Sequence, residues 1–509
     1  MAGPAAQWWI GQFGHGGERG VTDRYLLVLD EGTTSTRAML YAPDGKLGAS
    51  AQQSLEQFYP RPGWVEHDPH EILDKTLACA REVIAKAGGP EAIAGIGVTN
   101  QRETVVAWDK KTGRAVGRAI VWQDRRTADF CDALRDAGHE PALQAKTGLL
   151  LDPYFSGSKM RWMLDHVPGA RELGENLAFG TIETWLVWHM TGGLHISDVS
   201  NASRTCLFAL DGRDWDTGLL DLFGVPRGAL GEIVASAGTI GETRANVFGA
   251  PIPITGLAGD QQAATVGQGC LSPGETKATF GTGAFILTNM GGTLPRSTNR
   301  LLGTVLCEVA GVRQYALEGS VFAAGSLIKW LRDNLGMVIT AGESETLARA
   351  VPDSGGVTFI PALSGLGAPH WRPNATGSIA GLTFSVTRAH VVRAALESMA
   401  HQCHDLKQAF AADGADWQLL RIDGGMSGND WLAQDLADVL EVTVERPVDV
   451  ETTARGAAML AAVGAGLYPS LEAAKAMLPQ VECFDPALDG HLRDARLVAW
   501  QTALGAALG

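Results

Sequence analysis

A short strand, a tight turn of glycine and hydroxyl residues, and a second strand occur twice in this chain, about 250 residues apart, and this pairing restricts the fold more than any other feature. The first copy runs from an apolar strand at 25–29 through Asp30-Glu31-Gly32-Thr33-Thr34-Ser35-Thr36 into a strand at 37–41. The second is a strand at 276–280, the turn Gly281-Thr282-Gly283 and a strand at 284–289. The likeness is one of layout rather than of letters. Turns this rich in Gly and Thr are not helical. They present backbone N–H and side-chain O–H groups to phosphate oxygens; Asp30 at the strand end suits a hydrated Mg²⁺, and Arg37 suits charge neutralisation. Taken singly, each turn reads equally well as a polar hairpin tip. Together they indicate two related halves.

Between and after the hairpins, strands alternate with helices, which makes the class α/β. A helix is expected over 67–87, with Asp68 as its cap and Pro69 at the first helical position. Short buried strands follow at 92–98 and 104–108, and a helix at 181–190 stops at Gly192-Gly193. A strand at 252–257 runs into Ala258-Gly259-Asp260 and then a helix at 261–267. Asp260 therefore stands between a strand end and a helix start, where α/β folds place functional groups. Further helices are expected at 321–335, 388–412, 430–441 and 453–466, with a strand at 419–422. Two phosphate-gripping hairpins across a cleft describe two actin-like (ribonuclease H-like) domains flanking a central catalytic cleft. The boundary is placed near Gly269, giving 21–268 and 269–509. No Walker A pattern and no dinucleotide G-x-G-x-x-G fingerprint in a strand-to-helix setting occurs.

Hydrophobic residues at 45% and charged residues at 19% suit a globular chain with a large core. A formal net charge of -15 argues against nucleic acid or an anionic membrane as the main partner. It leaves room for a polyanion such as ATP where local amides and a metal ion compensate. The seven scattered cysteines, without a C-x-x-C pair, fit a reduced, cytoplasmic protein. No apolar run reaches the about 20 residues of a membrane span. Residues 1–20 are Gly-rich and lack a signal-peptide core, so they are expected to be a disordered extension or the product of a start codon placed too early, outside the fold in either case.

Several separate strings then agree in order and spacing. They are Gly63-Trp64-Val65-Glu66-His67-Asp68-Pro69, Thr99-Asn100-Gln101-Arg102-Glu103-Thr104, Val121-Trp122-Gln123-Asp124-Arg125-Arg126 and Asp152-Pro153-Tyr154-Phe155-Ser156-Gly157-Ser158-Lys159. Gly259-Asp260-Gln261-Gln262, Phe359-Ile360-Pro361-Ala362-Leu363 and Asp423-Gly424-Gly425 complete them. From Tyr25 to about Val498 the chain resembles the FGGY carbohydrate kinases, and within them the branch that acts on glycerol. The resemblance implies ATP-dependent phosphoryl transfer to a polyol, with Mg²⁺ held by Asp30 and Asp260. It implies that Arg102, Glu103, Tyr154 and Gln261 bind the polyol hydroxyls, that Trp122 and Phe285 wall its carbon backbone, and that Asp260 is the catalytic base. A small triol needs such a dense fork of donors and acceptors between aromatic faces; without the family match, Trp122 and Tyr154 would read as ordinary core. For the nucleotide it implies Thr33, Thr34, Ser35 and Arg37 in the first hairpin, Gly281 and Thr282 in the second, and Gly325, Lys329, Gly425 and Asn429 along the adenosine side. Gly325 and Gly425 are expected to let the backbone approach the nucleotide closely. Members of the family often form homodimers or homotetramers.

Departures from the family pattern are few. Glu31 stands where Gln is usual and is expected to place an extra carboxylate beside the triphosphate. Glu183 replaces an Asp, Lys329 replaces a Gln on the adenosine side, and Met426-Ser427-Gly428 differs from the usual small apolar run. In some bacterial members a Gly-Gly-Thr-Arg loop binds fructose 1,6-bisphosphate. Here Ala245-Asn246-Val247-Phe248-Gly249-Ala250-Pro251 occupies that stretch without an arginine, so inhibition by that sugar is expected to be weak or absent. His401, Cys403 and His404 lie within one helical turn, and His401 and His404 could share a face, but no acidic or second thiol partner is evident, so a metal site is not expected there. Two other readings remain open at this point. One is a kinase for erythritol, a pentitol or a ketopentose. The other is an actin-like nucleotide sensor, which would need a broken base or metal ligand, whereas Asp30 and Asp260 are both present.

Overall fold

In a computed structural model of the chain, residues 24–372 and 374–508 are described. The expectation for residues 1–20 falls outside them. One mixed sheet of thirteen strands crosses the molecule, and each hairpin occupies one part of it. Strand Tyr25–Glu31 pairs antiparallel with Ser35–Tyr41 and parallel with Ile93–Asn100, which in turn carries Pro253–Gly259 in parallel. Strand Glu275–Phe280 pairs antiparallel with Ala284–Gly291 and parallel with Leu419–Asp423. The layout repeated in sequence is thus repeated in space: a hairpin whose first strand continues into a parallel ladder.

The continuous apolar run Leu26-Leu27-Val28-Leu29 follows from burial on both faces of the sheet. Leu27 and Leu29 pack in the cluster under helix Pro69–Ala87, with Ile72, Cys79 and Val83. Leu26 and Val28 pack under helix Thr452–Gly464, with Ala454, Ala457 and Ala461. That helix lies late in the chain yet covers the strands of the first half. It crosses helix Asp260–Gly267 at two glycines. A Cβ at Gly267 would lie 1.9 Å from the Thr452 carbonyl oxygen, and one at Gly456 would lie 1.8 Å from that of Ala263.

Most expected elements form where the pattern puts them. Helix Pro69–Ala87 begins at Pro69, and the Asp68 side chain accepts the His70 amide. Helix Ile182–Thr191 ends at a left-handed Gly192, and helix Arg388–Ala412 has the expected bounds. The helix expected from 321 starts only at Gly325, because Val321 ends strand Val312–Val321 and pairs with Ala284. A short apolar run reads alike as a strand end or a helix start. Among the cysteines, six are buried and Cys483, on strand Val481–Phe484 at one end of the sheet, is exposed. Among the described residues no helix is long and apolar enough to cross a membrane.

Candidate active site

The carboxyl ends of the parallel strands assemble the site. Glu31 and Gly259 both align with Asn100, so the residues that follow (Gly32, then Gln101 and Arg102, then Asp260) leave the sheet at one level. Asp423 aligns with Thr279 on the other side of the molecule, just before the second turn. Ligands in open α/β sheets bind at such ends.

At the centre is a buried knot of charges. The Arg102 guanidinium grips Glu318 with both terminal nitrogens, at 2.6 and 3.2 Å. Its remaining donors reach Gln262 Oε1 at 3.4 Å and the Tyr154 hydroxyl at 3.3 Å, and its Nε stands 3.3 Å from Asp260 Oδ1. Arg204 donates to Glu103 Oε1 at 2.7 Å and to Glu318 Oε1 at 3.1 Å. Against a desolvation that would raise it, Arg102 and Arg204 hold the Glu318 carboxyl down at about 2. Desolvation raises Glu103 above the usual carboxylate range, opposed by the same two arginines. Glu103 has a left-handed backbone, φ 61°, a conformation that costs a non-glycine residue energy and recurs at functional sites. Asp260 differs from this group: its side chain is 32% exposed and opens to the cleft. Desolvation raises its carboxyl and Arg102 opposes the shift.

Aromatic rings close the pocket and join the two hairpins. Trp122 meets Tyr154 edge-on at 5.7 Å and Phe285, in the second hairpin, at 6.3 Å. Its indole N–H donates to Thr33 Oγ1 of the first hairpin at 2.9 Å. Beside Phe285, the buried Lys277 ammonium donates to Gln261 Oε1 and, at 2.8 Å, to Thr279 Oγ1. Desolvation lowers the pKa of Lys277, opposed by Asp423 and Asp260.

In the first hairpin, Gly32 N–H donates to the Ser35 carbonyl at 3.0 Å, which makes the turn tight. Thr34 is exposed, and Ser35 Oγ accepts from Gln52 at 2.9 Å. Arg37 is paired with Asp30 Oδ2 through Nε and a terminal nitrogen, and with Glu451 at 2.5 Å. In the second hairpin, Gly281 and Thr282 are exposed, and their carbonyls accept the amides of Gly325 (2.9 Å), Ala324 and Ser326 (both 3.0 Å) at the start of helix Gly325–Asp333. Gly424, φ 87°, lies against Phe280, where a Cβ would meet the carbonyl oxygen at 2.5 Å. The next residue, Gly425, has nothing within 4 Å of its Cβ position. Asn429 caps helix Asp430–Leu440, accepting the Leu432 amide at 2.9 Å, and Lys329 is exposed one turn along from Gly325.

One expectation changes. Glu31 does not stand beside the phosphate turn: it is 1% exposed, turned to the opposite face from Asp30, and accepts from Thr36 at 2.6 Å and Thr76 at 2.7 Å. At Gly325 the Gly281 carbonyl oxygen would lie 2.5 Å from a built Cβ. Arg204, Glu318 and Lys277 are additions that sequence reasoning missed. Their signal was a lone charge in an otherwise apolar or small run, as in Tyr315-Ala316-Leu317-Glu318-Gly319. Among the described residues no three metal-ligating side chains cluster. His401 instead packs its ring on Trp500 at 5.3 Å.

Residues 25–267 match the FGGY family of carbohydrate kinases, N-terminal domain, and residues 276–465 match its C-terminal domain. The chain is 50% identical to a glycerol kinase of Gluconobacter oxydans over 483 residues, 94% of each chain. It is 49% identical to a glycerol kinase of Methylobacterium nodulans over 495 residues, 96% of this chain and 98% of the other. Among solved structures, Plasmodium falciparum glycerol kinase with ADP superposes with a TM-score of 0.92 at 33% identity, covering 96% of this chain and 98% of that one.

Proposed function

The chain belongs to the FGGY family of carbohydrate kinases, and on that footing we propose that it transfers the γ-phosphoryl group of ATP to a terminal hydroxyl of glycerol, giving sn-glycerol 3-phosphate and ADP. The observation that carries the reading is the convergence of Arg102, Glu103, Trp122, Tyr154, Phe285 and a cleft-facing Asp260 in one pocket between two glycine-threonine hairpins. Its donor density suits a small polyol, and the chain's relatives bear the name of that activity.

Asp260 accepts the proton of the attacking hydroxyl as that oxygen forms its bond to the γ-phosphorus and the bond to the leaving ADP oxygen breaks. The nearby Arg102 Nε favours the ionised carboxylate and so opposes the desolvation of Asp260. Arg102 and Glu103 hold the other polyol hydroxyls, and the rings of Trp122 and Phe285 exclude water, limiting hydrolysis of ATP. Hairpin amides and the hydroxyls of Thr33, Thr34, Ser35 and Thr282 steady the phosphates. Gly425 and Asn429 line the adenosine side.

The donor set fits Mg²⁺, a hard cation that takes oxygen ligands. Among the described residues no donor reaches Asp30 Oδ1 or Asp260 Oδ2, so each carboxylate keeps one oxygen. Asp30 and Asp260 would hold the ion, which when bound neutralises charge on the triphosphate. We assign the first hairpin and polyol pocket to a domain of residues 21–268, and the second hairpin and adenosine side to 269–509. Seven unpaired cysteines favour a cytoplasmic setting.

The test is steady-state ADP release with glycerol, erythritol and a ketopentose. Glycerol is expected to give the highest kcat/KM; a preference for either alternative overturns the assignment. Asp260→Asn is expected to bind glycerol and ATP but lose about 10²–10⁴-fold in kcat. A variant that keeps more than about a tenth of the parent rate argues against a base at this position.

A further inference from the structure

We propose that Arg204 and Glu318 are a positioning pair that fixes the two polyol-binding side chains, Arg102 and Glu103, in their working orientation; the inference rests on the polyol-kinase reading above. Neither residue was expected to take part from the sequence, and neither opens to the cleft: both are buried, at 0% and 1% exposure. Glu318 comes from strand Val312–Val321 in the second half, and the other three members come from the first half.

An arginine has five N–H donors in a rigid fork. Here Glu318 takes one from each terminal nitrogen of Arg102. This bidentate grip fixes the plane of the guanidinium. It turns the Nε edge to Asp260 and one remaining N–H to Tyr154, the two partners that border the pocket. Arg204 holds Glu103 by a single bond. It engages Oε1 at 2.7 Å, and among the described residues no donor reaches Oε2, which is left for a hydroxyl. The 3.1 Å contact between Arg204 and Glu318 Oε1 joins both grips into one alternating chain, Arg102–Glu318–Arg204–Glu103. The Arg204 guanidinium is itself held over the Phe155 ring, 5.2 Å from its centre.

Burial of four charges is a poor way to gain stability, because desolvation offsets most of the attraction. Orientation of groups that contact a substrate gives a reason to retain them. The left-handed backbone at Glu103 points the same way, since a strained residue persists only where its surroundings hold it.

The distinguishing readout is a split between the two substrates. In Glu318→Gln, the KM for glycerol should rise about ten- to a hundredfold while the KM for ATP stays within about threefold, since no nucleotide-binding residue is touched. Glu318→Asp keeps the charge but shortens the reach by one methylene, and should raise the glycerol KM at least about fivefold. A folded Glu318→Gln whose glycerol KM stays within about twofold of the parent overturns the proposal, as does a KM for ATP that rises in step. If the Gln variant does not fold, the Asp variant decides by the same criteria. A parent protein without glycerol-dependent ADP release would instead refute the assigned reaction, so the two failures are separable.

Discussion

Asp30 and Glu31 are consecutive residues of one strand, and the pleat sends their carboxyls to opposite faces. Asp30 meets Arg37 near the turn, while Glu31 enters the core against Thr76 of helix Pro69–Ala87. Desolvation pushes the Glu31 carboxyl up to about 8, opposed by the hydroxyls of Thr36 and Thr76. The native chain therefore keeps a proton here that the unfolded chain releases, so this residue erodes stability as pH rises from about 4.5 to about 8. The loss has a ceiling on the order of 5 kcal/mol. Glu31→Gln preserves the shape and the acceptor for both threonines without the ionisation. Thermal unfolding midpoints should match those of the parent near pH 5 and exceed them by several degrees at pH 8 to 9. Equal midpoints across that range would mean that Glu31 is ionised without penalty.

Two helices, Asp260–Gly267 and Thr452–Gly464, cross with their backbones in contact, and Gly267 and Gly456 make the approach possible. The first helix starts at the proposed base, so its seating on the second sets where Asp260 stands. Any side chain at Gly456 meets a backbone carbonyl rather than a yielding side chain, and the helices must separate. Gly456→Ala is therefore expected to destabilise by about 3 kcal/mol or more, read as a lowered unfolding midpoint, together with a reduced kcat. An unchanged midpoint would show that the crossing relaxes freely. The element boundaries were legible wherever a local signal marked them: Asp68 with Pro69, Gly192, and the strand-to-helix break at Asp260. They were not legible at 321–324, where pairing with Ala284 decides between strand and helix and nothing local does.

Across the whole molecule, the halves meet through long-range contacts that include Arg102 with Glu318, Arg37 with Glu451, Trp122 with Phe285 and the packing of helix Thr452–Gly464 on the first half. This explains which part of the site could be read in advance. Residues in turns and at strand ends announced themselves by local chemistry, as Asp30, Thr33, Gly281 and Asp260 did. Arg204 and Glu318 are 114 residues apart in sequence, so their partnership exists only after folding. The face chosen by Glu31 likewise depends on the helix that covers it. The distribution of sulfur across the same fold has a practical outcome. With Cys483 alone at the surface, a maleimide dye should attach once per native chain and seven times after unfolding. The unmodified protein thus carries its own handle for a fluorescent probe, on an outer strand of the sheet.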